Sequence, residues 1–119
     1  MAIPCQCNSI PVTLSTSSDG LTSVIDTLAY GSFGIEMPST WDAADITFRA
    51  CATESGTFGN LYDDLGNEVT VISPGSAERV SLKNIAVQLK PWRYIQIRSG
   101  TAATPVAQST DRAFNLVCR

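Results

Sequence analysis

Between residues 93 and 99 apolar and polar positions alternate without a break. Ile95 and Ile97 fall on one face, and Tyr94, Gln96 and Arg98 on the other, which is the period of a strand with one side in a core. Phe114, Leu116 and Cys118 repeat that spacing across residues 113–119, and Ile46, Phe48, Ala50 and Ala52 do so against Thr47, Arg49, Cys51 and Thr53. Phe33, Ile35 and Met37 alternate with Gly34 and Glu36 in a run that stops at Pro38. Shorter β-rich runs follow the same logic: residues 12–14 open a first strand, 21–28 a second, and 78–82 another. Residues 60–63 and 68–72 flank a Gly66-Asn67 turn and predict a hairpin. Residues 82–89, ahead of Pro91, predict a single helical turn.

The stretches between these runs are rich in Ser, Asp, Asn, Gly and Pro, whose side chains or ring geometry favour turns. About eight short strands separated by turns predict an all-β chain, a single antiparallel β-sandwich or jelly roll, rather than a βαβ arrangement. Residues 12–119 form the expected domain. Residues 1–11, bracketed by Pro4 and Pro11, read as an irregular N-terminal arm, so that removing them is expected to leave the domain folded.

A chain of 119 residues is long enough to bury a core of its own. Charged residues make up only 16% of it, which leaves much of the surface to neutral polar groups. The net charge of −3 is divided unevenly: residues 1–48 hold five acids (Asp19, Asp26, Glu36, Asp42 and Asp45) and no base, so every one of the eight bases lies beyond them. Separated charge of this kind suits head-to-tail packing of copies, unless folding interleaves the two halves. No basic run alternates with aromatics, which argues against a nucleic-acid partner. No apolar run approaches a membrane span, and the opening residues lack a secretory signal pattern, so use without export and without stable disulfides is expected.

The chain contains no His, which removes Ser-His-Asp and Cys-His catalysis and His-ligated metal sites. The neighbouring carboxylates, Asp63 with Asp64 and Asp42 with Asp45, flank predicted turns where Asp is expected for backbone reasons. The run 63–68 is dense in oxygen but lacks the ligand spacing of an EF-hand. Cys5 and Cys7 with Cys51 and Cys118 supply four thiols, without the Cys-x-x-Cys knuckle of a zinc site; buried free thiols or bridges from the arm are the other readings. Trp41, Trp92 and Tyr94 are candidate surface aromatics for stacking on sugar, or else plugs over the end of the sandwich. Arg93, Arg98 and Arg112 are expected to pair with Asp45 or Asp111, or with acids of a neighbour. No enzyme and no cofactor is expected.

Two blocks carry a family likeness. Residues 37–48 (MPSTWDAADITF) with 58–63 (FGNLYD), and residues 92–108 (WRYIQIRSGTAATPVAQ) with Asp111-Arg112 and a final strand, resemble small virion-associated proteins of tailed bacteriophages. The likeness spans residues 12–119. It implies a small β-sandwich without enzymatic activity, located in the virion after assembly in the host cytoplasm. A capsid decoration or cement protein bound to the major capsid protein is the foremost reading, with trimers a natural form. A tail, neck or fibre-base part and a carbohydrate-binding module are the alternatives. In the first role the arm, through Ile3, Pro4, Cys5, Gln6, Cys7 and Ile10, is the expected contact with neighbouring virion proteins.

Overall fold

The computed structural model describes residues 8–16, 18–28 and 30–119. Among these residues nine strands and one helix follow in chain order: β1 (Asn8–Leu14), β2 (Ile25–Asp26), β3 (Phe33–Glu36), β4 (Ile46–Cys51), β5 (Gly59–Asn60), β6 (Thr70–Val71), β7 (Arg79–Ser81), α1 (Lys83–Leu89), β8 (Tyr94–Ser99) and β9 (Arg112–Cys118). They make two antiparallel sheets, one ordered β1-β9-β3-β7 and the other β2-β8-β4-β5, with β6 also pairing β4. The pairing is nested. The first strand joins the last, the second joins the eighth, the third joins the seventh as well as the last, and β4 joins β5 and β6, which is the strand order of a jelly roll and matches the architecture expected from the alternation.

The alternating positions face each other across the gap between sheets. Val12, Leu14, Phe33, Ile35, Phe114, Leu116 and Cys118 of the first sheet meet Ile25, Ile46, Phe48, Ala50, Ile95 and Ile97 of the second, and all are buried in one core. Each such Leu, Ile, Val or Phe contributes roughly 1.5–3 kcal/mol through burial. Helix α1 buries Ala86 and Leu89 in the same cluster, leaves Val87 exposed, and gives way to Pro91 as expected. It is two turns long rather than one.

Two boundaries differ from the sequence reading. β1 begins at Asn8, so residues 8–11 belong to a strand and not to an arm; its register runs from Asn8 opposite Cys118 to Leu14 opposite Arg112. Pro11 is tolerated because β1 is the edge of its sheet, where a missing donor costs no ladder bond. The second predicted strand shrinks to Ile25–Asp26. Upstream of it Leu21 bridges Arg98 and Thr22 bridges Leu14, and the Thr22 hydroxyl takes the Ile97 amide at 3.0 Å. The hairpin forms as a short one closed by the Tyr62–Glu68 bridge, but its two arms, β5 and β6, lie along successive parts of β4.

Candidate functional site

The outer face of the second sheet is polar, and it is built by register. Gln96 of β8, Arg49 of β4 and Asn60 of β5 stand side by side across three strands, and Arg98 stands beside Thr47 in the next row. Leu61 is in the core, so alternation turns Asn60 and Tyr62 outward together; Tyr62, directly across from Glu68, is 52% exposed.

Arg98 anchors this face although it is only 5% exposed. Its Nε donates to Thr47 Oγ1 at 3.0 Å, Nη1 to Asn60 Oδ1 at 2.9 Å, and Nη2 to Glu68 Oε2 at 3.3 Å. Glu68 also accepts the Ala102 amide at 3.0 Å, and Thr47 donates to the Gly100 carbonyl at 2.7 Å. Burial lowers the Arg98 pKa from its ordinary value; Glu68 opposes that shift and the neighbouring Arg49 adds to it. The arginine therefore ties β4, β8, the hairpin and the loop after β8 into one unit.

A second clasp closes the end of the sandwich. Arg112 Nη2 reaches Asp42 Oδ1 at 3.1 Å and its Nε reaches Gln108 Oε1 at 3.2 Å. Gln108, itself buried, takes the Asp42 amide at 2.8 Å and returns Nε2 to the Asp42 carbonyl at 3.0 Å. Hydrogen bonds from Ser109, with Arg112 adding, hold the Asp42 carboxyl below its usual pKa. Trp41, next in the chain, is buried and donates Nε1 to the Ala44 carbonyl at 3.3 Å. The two family-like blocks of the sequence are thus each other's partners in space: Asp42 of the first is held by Gln108 and Arg112 of the second.

These clasps reassign the expected ion pairs. Arg93 pairs with Asp26 at 3.0 Å, Arg98 with Glu68 and Arg112 with Asp42, rather than with Asp45 or Asp111. Asp45 instead accepts the Ser73 amide at 2.8 Å, and Asp111 the Thr16 amide at 3.1 Å. Asp63 accepts the amides of Leu65 and Asn67, both at 2.9 Å, which accounts for the acidic turn as a turn. No group of three or more Cys, Asp or Glu among the described residues is placed to hold a metal ion.

Of the candidate aromatics, Trp41 and Tyr94 are buried, so the reading of all three as surface aromatics is corrected; Trp92 alone shows about a third of its surface. Arg93 covers the Tyr94 ring at 5.1 Å. Ile3, Pro4, Cys5, Gln6 and Cys7 lie outside the described residues. Ile10, expected at a partner contact, is half-buried against the core in a β1 that starts earlier than the prolines suggest. Cys118 lies in the core and Cys51 in β4 opposite Tyr94, and both are buried. Arg49, Asn60 and Tyr62 were not singled out by the sequence as site residues, and Glu68 only as the last oxygen of the run 63–68. The alternation does put Arg49 on the outward face of its strand, but only the register shows what stands beside it.

Fold and site together define a jelly-roll β-sandwich whose buried polar side chains are engaged in clasps between loops and strands. No family model matches the chain, and no curated protein matches it in sequence. Among solved structures, the crystal structure of SPBc2 prophage-derived protein YomS is similar over 99% of this chain and 98% of that one, with a TM-score of 0.52 and 10% sequence identity. At that identity the likeness is one of fold.

Proposed function

We propose that this chain is a non-enzymatic structural protein of a bacteriophage virion, and within the virion a decoration protein seated on the major capsid protein lattice as a homo-oligomer. The observation that carries the reading is the end-to-end correspondence of fold with a prophage-derived protein, which agrees with the phage-like blocks at residues 37–63 and 92–112. The clasps support a structural role. Asp42 and Arg98, the groups with perturbed pKa values inside these clasps, are held by partners within the chain. Asp42 is shifted downward, the direction of an ion-pair acceptor and opposite to that of a general acid working near neutral pH.

The test is copy number. Quantitative mass spectrometry of purified particles is expected to find the chain in hundreds of copies per virion, removable without loss of tails. A dozen copies or fewer, co-purifying with tails, places it at the neck, tail or fibre base instead. Its absence from particles overturns the virion reading altogether.

A further inference from the structure

Arg49 is the exception among the described arginines whose contacts are resolved. Arg79, Arg93, Arg98 and Arg112 each hold a carboxylate. Arg49 does not: its Nη2 donates to the Phe58 carbonyl at 2.6 Å, and among the described residues no other acceptor and no acid stands within reach of it. A guanidinium has five N–H donors, so four of them on a half-buried side chain make no hydrogen bond to the described residues.

The surroundings are organised around those donors. Asn60, directly beside Arg49, gives its Oδ1 to Arg98, which leaves its exposed amide nitrogen as a further donor. Gln96, on the other side, gives its Nε2 to the Thr22 carbonyl at 3.1 Å, which leaves its oxygen as an acceptor. Tyr62, about half exposed, is turned outward with Asn60 by the alternation about Leu61. Glu68 is engaged by Arg98 and Ala102, so the group of Arg49, Arg98 and Glu68 carries one positive charge without a counterpart.

We infer that the outer face around Arg49, Asn60, Tyr62 and Gln96 is a binding site for an acidic saccharide, with Arg49 taking the carboxylate and Tyr62 the sugar face. A forked guanidinium matches a carboxylate in two parallel hydrogen bonds, flanking amides match hydroxyls as donor and acceptor, and an exposed ring offers a stacking surface. A protein partner fits less well. Stable protein interfaces have an apolar centre, and here Ile46, Phe48, Ala50, Ile95 and Ile97 all point the other way, into the core. The inference does not depend on where in a particle the chain resides.

The experiment is a titration of the isotope-labelled whole chain, followed by amide chemical shifts, with digalacturonate and with N-acetylneuraminic acid. A neutral galactose disaccharide and a tetraglutamate peptide serve as comparisons. At least one acidic sugar is expected to give saturable shifts on β4, β5 and β8, with the galactose disaccharide at least tenfold weaker. Arg49→Gln is expected to weaken binding tenfold or more. Asn60→Asp, which keeps the oxygen that Arg98 uses and sets a carboxylate beside Arg49, is expected to do the same in a folded protein. No saturable shifts with either sugar overturns the site, as does undiminished binding by Asn60→Asp. Tetraglutamate binding as tightly as the better sugar overturns the saccharide assignment in favour of an acidic peptide.

Discussion

Arg98 is a charged side chain buried in the sandwich of a chain 119 residues long, tolerated because its partners come from three elements at once. Removing one member of a buried ion pair leaves the other desolvated and unpaired, at a cost of about 3–5 kcal/mol. Arg98→Ala, which strands Glu68, is expected to lower the unfolding free energy obtained from a urea titration by that amount. The double variant with Glu68→Gln is expected to recover part of it. Asp42 gives a pH signature. Its pKa is lower folded than unfolded, so its contribution is in place above the ordinary carboxylate value and is lost as pH falls through the folded value. Asp26, held down chiefly by its hydrogen bond from Arg93, adds in the same sense. Thermal midpoints are expected to fall on acidification below about pH 4, and to fall less steeply in Asp42→Asn, which starts from a less stable protein.

Among the elements, β1 is where local sequence misleads. Pro11 reads as a breaker, yet an edge strand accepts it, and Ile10 packs half-buried beyond it. Deleting residues 1–11 is therefore expected to lower the melting midpoint, since it strips Asn8 to Pro11 from their register with β9; circular dichroism of the truncated chain measures it. Gly100 has φ +90, and a Cβ there would come within 2.5 Å of the Thr104 carbonyl oxygen. Gly100→Ala is expected to cost about 1–3 kcal/mol or more, read as a shift in denaturant midpoint. The alternation in residues 93–99 and 113–119 made strands β8 and β9 legible, because period two reports directly on burial. The clasp was not legible. Asp42 lies 66 residues from Gln108 and 70 from Arg112, and a polar residue's partner across such a span is fixed by topology rather than by neighbours. Asp45 and Asp111 were plausible partners on charge alone; the register put others closer.

The whole molecule is dominated by pairings between distant parts of the chain, the first strand with the last and the second with the eighth. Loops of that size must close before the contacts that stabilise them exist, so refolding from denaturant is expected in milliseconds to seconds rather than microseconds, a range that stopped-flow fluorescence of Trp41 and Trp92 can follow. The uneven distribution of charge along the sequence is largely cancelled within the fold. Three of its five early acids, Asp26, Glu36 and Asp42, are paired with Arg93, Arg79 and Arg112 from the basic half, so the head-to-tail attraction that the sequence suggested loses most of its source.

β9 lies between β1 and β3, yet it is the last of the nine strands to leave the ribosome. Until it arrives the first sheet has no middle: β1 has no partner in it, and β3 keeps only the short β7. A translation product that stops early is thus left with open strand edges and an uncovered core, the features that quality-control machinery recognises. Emergence of β9 itself becomes the step that separates usable copies from defective ones.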